Sequence, residues 1–293
     1  MNRSRHVMFS RATTLAIGAL LAQFAALPSF ASPDDVREEF HQTYPLQAGG
    51  RVELENINGA VHITAWDRNE VKVDAVKTAS SKEKLDDARI EVNASAGQVS
   101  IRTKYPDHNL TFTDHSRHNP ASVEYTLTVP RGASLDEISL VNGSLEISGV
   151  SGKVKSSCVN GNTMAKNLAG AAHLEGVNGR VRAEFDLVSH SVELESVNGR
   201  VEVVLPSDTN AVIEAETVSG SISNELGLLS TGHIVGHNLH GQLGGGGPKI
   251  KLSTVNGSIE IRRASDGRNP TPVKDMGKRG DKDDDDDKDD DRD

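Results

Sequence analysis

Seven short segments of this chain read Val or Ile, then Asn or Ser, then Gly, and several fall at nearly constant intervals. No other feature of the chain is as specific, and a short fixed period predicts a repeat architecture. After residue 141 the steps are 18, 18, 20, 21 and 37 residues, and a weaker unit near Val235 would divide the last step. The segments begin at Ile57, Val141, Val159, Val177, Val197, Val218 and Val255.

The period continues at half the interval between residues 141 and 177. Val141, Val150, Val159, Leu168 and Val177 are each 9 residues apart, and each precedes a pair that ends in Gly. The fifth and seventh positions of each unit are apolar or small and the residues between them mostly polar, which is typical of a strand with one buried face. Asn-Gly pairs supply the positive φ angles of a sharp turn. Each unit therefore predicts a short strand and a turn, with the triplet Val anchored in the core.

A nine-residue unit cannot bury its own apolar face, so it must stack on its neighbours. This predicts an all-β fold, a single-stranded β-solenoid (β-helix-like) with about 18–21 residues per coil. Asparagines at equivalent turns would then hydrogen-bond along the stack. Ordinary hairpin turns in an antiparallel sandwich are the alternative. The predicted turn residues are Asn58, Gly59, Asn142, Gly143, Asn160, Gly161, Asn178, Gly179, Asn198, Gly199, Ser219, Gly220, Asn256 and Gly257.

Four parts follow along the chain: a signal peptide over 1–31, a lead-in over 32–48, the solenoid over 49–263 and a disordered acidic tail over 264–293. Between the first two triplets we expect about four coils with insertions. One helical turn over 80–88 and a polar loop over 107–120 are predicted there. The strands predicted before residue 141 cover 51–56, 60–65, 71–78, 90–103 and 123–129.

The first residues carry the features of a secretory signal peptide. Basic residues precede an apolar run over 15–27, and small residues at Ser29 and Ala31 predict cleavage after Ala31. A membrane anchor is the alternative, but Gln23 and Pro28 interrupt the run, which is shorter than the roughly 20 residues that a bilayer requires. We therefore expect an exported protein, in the periplasm or outside the cell, without a transmembrane segment after cleavage.

The composition limits the classes of partner. The formal net charge is -10, and removal of the basic signal peptide would make the chain more acidic. Nucleic acid would repel such a protein, so none is expected as a partner. Aromatic residues make up only 3%, which argues against stacking platforms for bases or sugars. Cys158 is the only cysteine, so no internal disulfide is expected, and it is interpreted as a buried structural thiol.

With these repeats in view, the chain resembles the putative-adhesin family of bacterial exported or envelope proteins, a domain of unknown function built of β-strand repeats. The resemblance covers about 49–263 and implies a flattened β-solenoid with a role in adhesion or envelope-stress regulation. It implies no catalytic residues, and the acidic tail is not part of the pattern. The matching segments are the triplets from Val141 onward, the strand end at 128–132, the turn at 203–206 and the closing strands at 249–261.

Metal binding is weakly indicated. Calcium-binding nonapeptide turns place an Asp two residues after a Gly, and no carboxylate stands at the equivalent positions here. His233, His237 and His240 are weak transition-metal candidates, as is a histidine group in the loop at 107–120, and solvated histidines are the preferred interpretation. No cofactor is expected. The acidic run could hold cations loosely through Asp283, Asp284, Asp285, Asp286 and Asp287.

The function expected from these features is that of a non-enzymatic cell-envelope scaffold, adhesin-like or sensing envelope stress, which binds an envelope protein or surface partner. Stacked strands could also associate end to end through their edges. The alternative is a solenoid that binds or cleaves carbohydrate, since two carboxylates at a defined separation suffice for a glycosidase. The outward carboxylates that could serve are Glu146, Glu193, Glu195, Glu202 and Glu260.

Overall fold

A computed structural model describes residues 35–106, 120–232 and 236–276 of the chain. The predicted signal peptide, the loop residues 107–119, His233, Val235 and residues 277–293, which include the acidic run, lie outside the described residues. Strands dominate the described part, with one short helix, α1 (Lys82–Asp87). The strands up to the second triplet are β1 (Val36–Pro45), β2 (Arg51–Asn58), β3 (Val61–Trp66), β4 (Glu70–Ala79), β5 (Arg89–Ser95), β6 (Gln98–Lys104), β7 (Ser122–Pro130) and β8 (Ser134–Asn142).

The remaining strands are shorter and alternate between the two sheets. The central ones are β9 (Leu145–Ser148), β10 (Val154–Asn160), β11 (Thr163–Leu168), β12 (Ala172–Asn178), β13 (Val181–Phe185), β14 (Val192–Asn198) and β15 (Val201–Leu205). The C-terminal ones are β16 (Ala211–Ser219), β17 (Ile222–Asn224), β18 (Ser230–Gly232), β19 (His237–Leu243), β20 (Lys249–Asn256), β21 (Ile259–Arg263) and β22 (Val273–Asp275).

Two sheets contain all of these strands. Sheet one has the order β1-β4-β7-β3-β9-β11-β13-β15-β21-β17, and sheet two has the order β18-β19-β16-β20-β14-β12-β10-β8-β2-β6-β5, with β22 paired to β19. Pairing is parallel from β7 to β17 in sheet one and from β16 to β6 in sheet two. Antiparallel strands flank the parallel part of sheet one on the β7 side and that of sheet two on both sides. The nearly all-β, β-helix-like class is therefore confirmed.

The Asn-Gly turns carry the chain from one sheet to the other. β8 belongs to sheet two and β9 to sheet one, and each next pairs in parallel with a strand 18 residues further along, so that Asn142 faces Asn160 and Leu145 faces Thr163. A hairpin would instead pair the two strands that flank the turn. The antiparallel sandwich is therefore wrong for these turns.

Alternation buries the fifth and seventh residues of each unit, most of them in one apolar cluster that both sheets share. Leu145, Ile147, Leu174 and Val181 are each at most 1% exposed. Burying such a side chain contributes about 1.5–3 kcal/mol relative to leaving it in water. Strand-over-strand burial therefore supplies the stabilisation that a single unit lacks.

The N-terminal third differs from the expectation of four stacked coils. β2 pairs directly with β8, so that Asn58 faces Asn142 although 84 residues separate them. The intervening chain adds β6 to sheet two and β7 to sheet one, and the antiparallel strands β5, β4 and β1 continue the sheets outward. The single strand predicted over 90–103 is a hairpin of β5 and β6, because Ala96 and Gly97 turn the chain. The predicted helical turn is confirmed as α1, whose N-cap is Ser81.

The C-terminal strands do not follow the order of the chain. β20 lies between β14 and β16, and β21 lies between β15 and β17. The triplet at Val255 is therefore inserted in space between the triplets at Val197 and Val218. The triplets at Val218 and Val255, which are 37 residues apart, therefore lie on adjacent strands and not two strands apart. On its other edge, β16 pairs with β19 in antiparallel orientation.

Candidate interaction surface

The first residues of the seven triplets form one exposed apolar row across sheet two. They are 38–55% exposed, and the strands that carry them are neighbours in the order β2-β8-β10-β12-β14-β20-β16. The expectation that the triplet Val anchors the core is therefore wrong. We name this feature the apolar row, and in spatial order its members are Ile57, Val141, Val159, Val177, Val197, Val255 and Val218.

The exposure follows from the alternation of the strand. In β12, Ala172, Leu174 and Gly176 face inward, so Val177 faces outward just before the turn. The buried Val181 begins the next strand after the turn, in the other sheet. Val177 is an odd number of residues from the buried positions, so the alternation of a strand puts it on the opposite face. This spacing can be read from the sequence, and it predicts that the row lies on the surface.

An asparagine ladder runs beside the apolar row. From Asn142 onward, each side-chain amide donates from Nδ2 to the Oδ1 atom of the preceding asparagine on the neighbouring strand, at 2.9–3.1 Å. Such a chain of bonds fixes the orientation of every amide in it. The ladder contains, in spatial order, Asn58, Asn142, Asn160, Asn178, Asn198 and Asn256.

The glycines of the triplets stack so closely that no side chain fits between them. A Cβ atom on Gly161 would overlap the carbonyl oxygen of Gly143, and one on Gly257 would overlap that of Gly199. The φ angle of Gly161 is 156°, in the region that favours glycine. Positive φ is confined to glycine in these turns, so the asparagine serves the ladder and not the backbone turn.

Different structures close the two ends of the ladder. At the N-terminal end β6 lies beside β2, where Thr103 donates to Oδ1 of Asn56, a buried residue two positions before the ladder's Asn58, at 2.9 Å and lies 2.8 Å from the hydroxyl of Tyr125. Burial raises the pKa of Tyr105 to about 12, and its hydroxyl donates to Ala121 O at 2.7 Å. At the other end the beginning of β19 lies beside β16, with His237 facing Thr217.

A groove of about 670 Å³ forms where β19 meets the apolar row. Four members of the row, Val177, Val197, Val255 and Val218, contribute its apolar lining. Residues 236–238 bound it on the side of β19. Three carboxylates on its border belong to Glu175, Glu195 and Glu216.

The glutamates considered for carbohydrate chemistry are each close to a basic side chain. Glu146 lies 3.3 Å from His62, and Glu260 lies 2.9 Å from Arg200. Glu202 was expected to face solvent, but it is only 3% exposed because Arg182 and Arg262 cover it and pair with it.

Lys251 joins the other two of these glutamates. Its Nζ atom lies 2.6 Å from Glu193 and 2.9 Å from Glu195. Hydrogen bonds to the Glu193 and Glu195 carboxylates raise the pKa of Lys251, and the same bond from Lys251 lowers the pKa of Glu193. The Glu193 carboxylate is therefore held in the ionised form beside a cation, unlike the raised-pKa acid that a glycosidase needs.

The candidate metal-binding histidines are only partly within the described residues. His237 and His240 lie three residues apart on β19, and the strand's alternation puts them on opposite faces. Among the described residues, no group of three or more His, Cys, Asp or Glu side chains has the geometry to hold a metal ion. Cys158 is buried and donates to Gly143 O at 3.3 Å, and burial raises the pKa of its thiol.

The sequence profile of one protein family, described as Toastrack DUF4097, matches residues 87–262, which is more than half of the chain. The chain belongs to this family. The match agrees with the resemblance to an adhesin-like family of unknown function, although it does not itself concern the Val-Asn-Gly triplets. No curated protein sequence matches the chain.

Three solved structures are similar to it in part. A putative cell adhesion protein from Clostridium sporogenes is 14% identical, with a TM-score of 0.42, over 78% of this chain and 100% of that one. A putative adhesin from Bacteroides fragilis is 12% identical, with a TM-score of 0.38, over 78% and 97%. A putative lipid binding protein from Parabacteroides distasonis is 11% identical, with a TM-score of 0.29, over 80% and 98%.

Within the described ranges, none of the helices is long and apolar enough to cross a membrane.

Proposed function

We propose that this DUF4097 protein is a non-enzymatic, exported cell-envelope β-solenoid that acts as an adhesin-like interaction scaffold. Its coils would contain about 18–21 residues, in keeping with the 18-residue and 20-residue offsets between paired strands such as β10, β12 and β14. The observation that carries the proposal is the apolar row, which places seven aliphatic side chains in line on one side of sheet two. Contiguous exposed apolar surface of this kind is typical of interaction sites.

The regularity of the row supports this function. Neighbouring strands lie roughly 4.8 Å apart, so seven strands present a row about 29 Å long. The Asn ladder and the stacked glycines fix the backbone beneath it, so a partner would meet a preorganised surface and little conformational entropy would be lost on binding. The row is narrow, which fits a partner that lies along it rather than a large flat interface.

The carbohydrate alternative has less support. The five candidate glutamates lie beside basic side chains, and none of the residues that line the groove is aromatic. Sugar binding commonly relies on an aromatic platform, and a glycosidase requires one carboxyl group that stays protonated. We therefore retain the scaffold as the proposed function.

Further parts of the proposal concern the ends of the chain. The acidic run after residue 280 would add solubility and attract cations or basic partners. End-to-end association through edge strands is proposed as a second mode of contact. β1 and β5 form the N-terminal edges of the two sheets, and β1 carries the charged residues Arg37, Glu38 and Glu39, which oppose uncontrolled pairing.

Retention of the protein in the bacterial envelope tests the proposed function. In the native bacterium, the full-length wild type should sediment with the envelope fraction. A variant with Val141, Val159, Val177 and Val197 changed to Thr should appear in the soluble exported fraction instead. Thr keeps the shape and the β-propensity of Val, but a polar hydroxyl group replaces one of the two methyl groups.

A matched control carries His62→Thr and Met164→Thr, which change outward residues on sheet one and leave the row intact. The control should be retained like the wild type. Circular dichroism and thermal unfolding of the purified proteins verify that both variants fold. Equal retention of the row variant and the wild type would overturn the proposed scaffold function.

A further inference from the structure

The apolar row is uniform in its aliphatic residues but not in the residues beside it. Three positions before the asparagine, the outward residue on sheet two is Ser139 on β8 and Ser157 on β10. On β2 it is Glu55, which Arg102 pairs with at 2.6 Å. Among the four strands of the groove, β12, β14 and β16 hold Glu175, Glu195 and Glu216 at this position and β20 holds Ser253. Three of the four groove strands therefore carry a carboxylate beside the row.

These carboxylates are incompletely neutralised. Lys251 is shared between Glu195 and Glu193, and His173 lies between Glu175 and Glu193. Glu216 has no ion-pair partner within the part of the chain that the structure describes. Glu175 and Glu195 also face each other on adjacent strands, and like charges in that position destabilise a sheet. The border of the groove thus carries negative charge that the neighbouring basic side chains do not fully neutralise.

The groove end of the apolar row also differs in shape from the remainder of the row. Four valines, 38–55% exposed, line it across β12, β14, β20 and β16, a span of about 14 Å at the usual strand separation. Residues 236–238 supply a wall that the remainder of the row lacks. A ligand at this end can bury aliphatic groups and bring cationic groups to the border at the same time.

Charge complementarity selects among the possible occupants. A second copy of this chain in a symmetric contact would set the same carboxylates against one another. A nucleic acid or an anionic lipid surface would meet the same repulsion, and the net charge of -10 extends it to longer range. A basic peptide with alternating aliphatic residues satisfies both the valines and the carboxylates.

We propose that the groove binds a cationic peptide segment of a partner protein, with its aliphatic side chains on Val177, Val197, Val255 and Val218 and its Lys or Arg side chains at Glu175, Glu195 and Glu216. The proposal rests on the proposed scaffold function and specifies where that scaffold takes a partner and of what chemistry. Electrostatic pairing at an exposed border is screened by salt, so binding should weaken as ionic strength rises.

Fluorescence anisotropy with a labelled octapeptide of alternating Lys and Leu tests the proposal on the full exported chain. The double variant Glu195→Gln, Glu216→Gln should raise Kd at least tenfold. The matched control Glu53→Gln, Glu137→Gln removes the same charge from facing positions on the same sheet outside the groove, and should change Kd less than twofold.

The apolar contribution is tested in the same way. Val197→Thr with Val255→Thr should raise Kd several-fold, whereas Val141→Thr with Val159→Thr, on the same row outside the groove, should leave it unchanged. An octapeptide of alternating Lys and Gly should bind at least tenfold more weakly than the Lys-Leu probe. Thermal unfolding of each variant verifies that the fold is intact.

Three outcomes would overturn the proposal: equal losses for the two charge-matched variants, equal losses for the two valine pairs, or equal binding of the Lys-Gly and Lys-Leu peptides. The first would indicate diffuse electrostatic attraction, the second a site along the whole row, and the third a site for cations alone. Envelope retention separates this failure from failure of the proposed function. If the groove variants lose the peptide but the row variant is retained normally, the scaffold function fails while the groove stands.

Discussion

The central strands, β8 to β15, lie in space in the order of the chain, whereas the C-terminal strands do not, since β20 and β21 insert before β16 and β17. The same triplet closes a turn in both regions, and Asn198 bonds to Asn256 as Asn178 bonds to Asn160. The triplet therefore determines register within a turn but not which turn is the neighbour. The C-terminal region is also where β19 meets the apolar row and forms the groove.

The largest effect is expected for substitutions in the glycine stack, which compare the two regions directly. Gly161→Ala in the central region and Gly257→Ala in the inserted unit each place a methyl group against a backbone carbonyl. We expect each to lower the free energy of unfolding by about 3 kcal/mol, because neighbours must be displaced at both positions and the backbone is also strained at Gly161. Chemical denaturation of each variant and the wild type measures this loss in the free energy of unfolding.

The control for this pair is Gly227→Ala. Its φ angle is positive, at 85°, as that of Gly161 is, but a methyl group there would meet no atom within 4 Å. The loss should be only about 1 kcal/mol, from the backbone conformation alone. If Gly257→Ala resembled this control while Gly161→Ala did not, the inserted unit would be packed more loosely than the central one.

An intermediate effect is expected in the asparagine ladder. Asn178 donates to Asn160 and accepts from Asn198, so Asn178→Ala removes two ladder bonds. Asn256→Ala removes the donation to Asn198, and Ser219 occupies the next strand. At about 1 kcal/mol per hydrogen bond, the central substitution should lower the free energy of unfolding by roughly 2 kcal/mol and the inserted one by roughly half of that. Equal losses would contradict a ladder that weakens toward the C-terminal end.

The smallest effect is expected at the segment where the chain leaves the central strands. Asp266 accepts hydrogen bonds from the backbone N–H groups of Ser207 and Arg268, and these bonds lower its pKa to about 2. Because the pKa is below its ordinary value of 3.8, the stabilisation is present above pH 4 and is lost as the pH falls toward 2.

The thermal midpoint of the wild type should therefore exceed that of Asp266→Asn at pH 5, and the difference should disappear as the pH approaches 2. Ser207 follows β15, so this contact secures the segment that leads to β16. A difference that stayed constant from pH 5 to pH 2 would show that the carboxylate charge contributes nothing there.

Much of the fold could be predicted from the sequence because its signals are local. The alternation around Leu145 and Val181 predicts strands with one buried face, and both residues are buried. The polar turn at 80–88 became α1 with Ser81 as its cap, as a short-range capping bond allows. The strand predicted over 90–103 failed because a two-residue turn at Ala96 and Gly97 is a weak signal inside a β-rich segment.

The candidate site was predicted only in part. The triplets were found, yet their Val residues were assigned to the core, since an aliphatic residue at a regular interval resembles a core position. Counting alternation from Leu174 to Val177 would have corrected this assignment. Glu202 was misplaced for another reason: Arg182 and Arg262 come to it from β13 and β21, which are distant along the chain.

The sequence by itself determined the strands, the turns and their register, because alternation, Asn-Gly turns and close glycine stacking act between residues a few positions apart or one period apart. Only the tertiary structure decided the order of the C-terminal strands, the direct pairing of β2 with β8, and the meeting of β19 with the apolar row that forms the groove. Each repeat presents nearly the same strand edge, so the repeat pattern does not distinguish one possible neighbouring strand from another. Which strands pair therefore depends on how the long connections and the end strands pack, and local sequence patterns do not encode that packing.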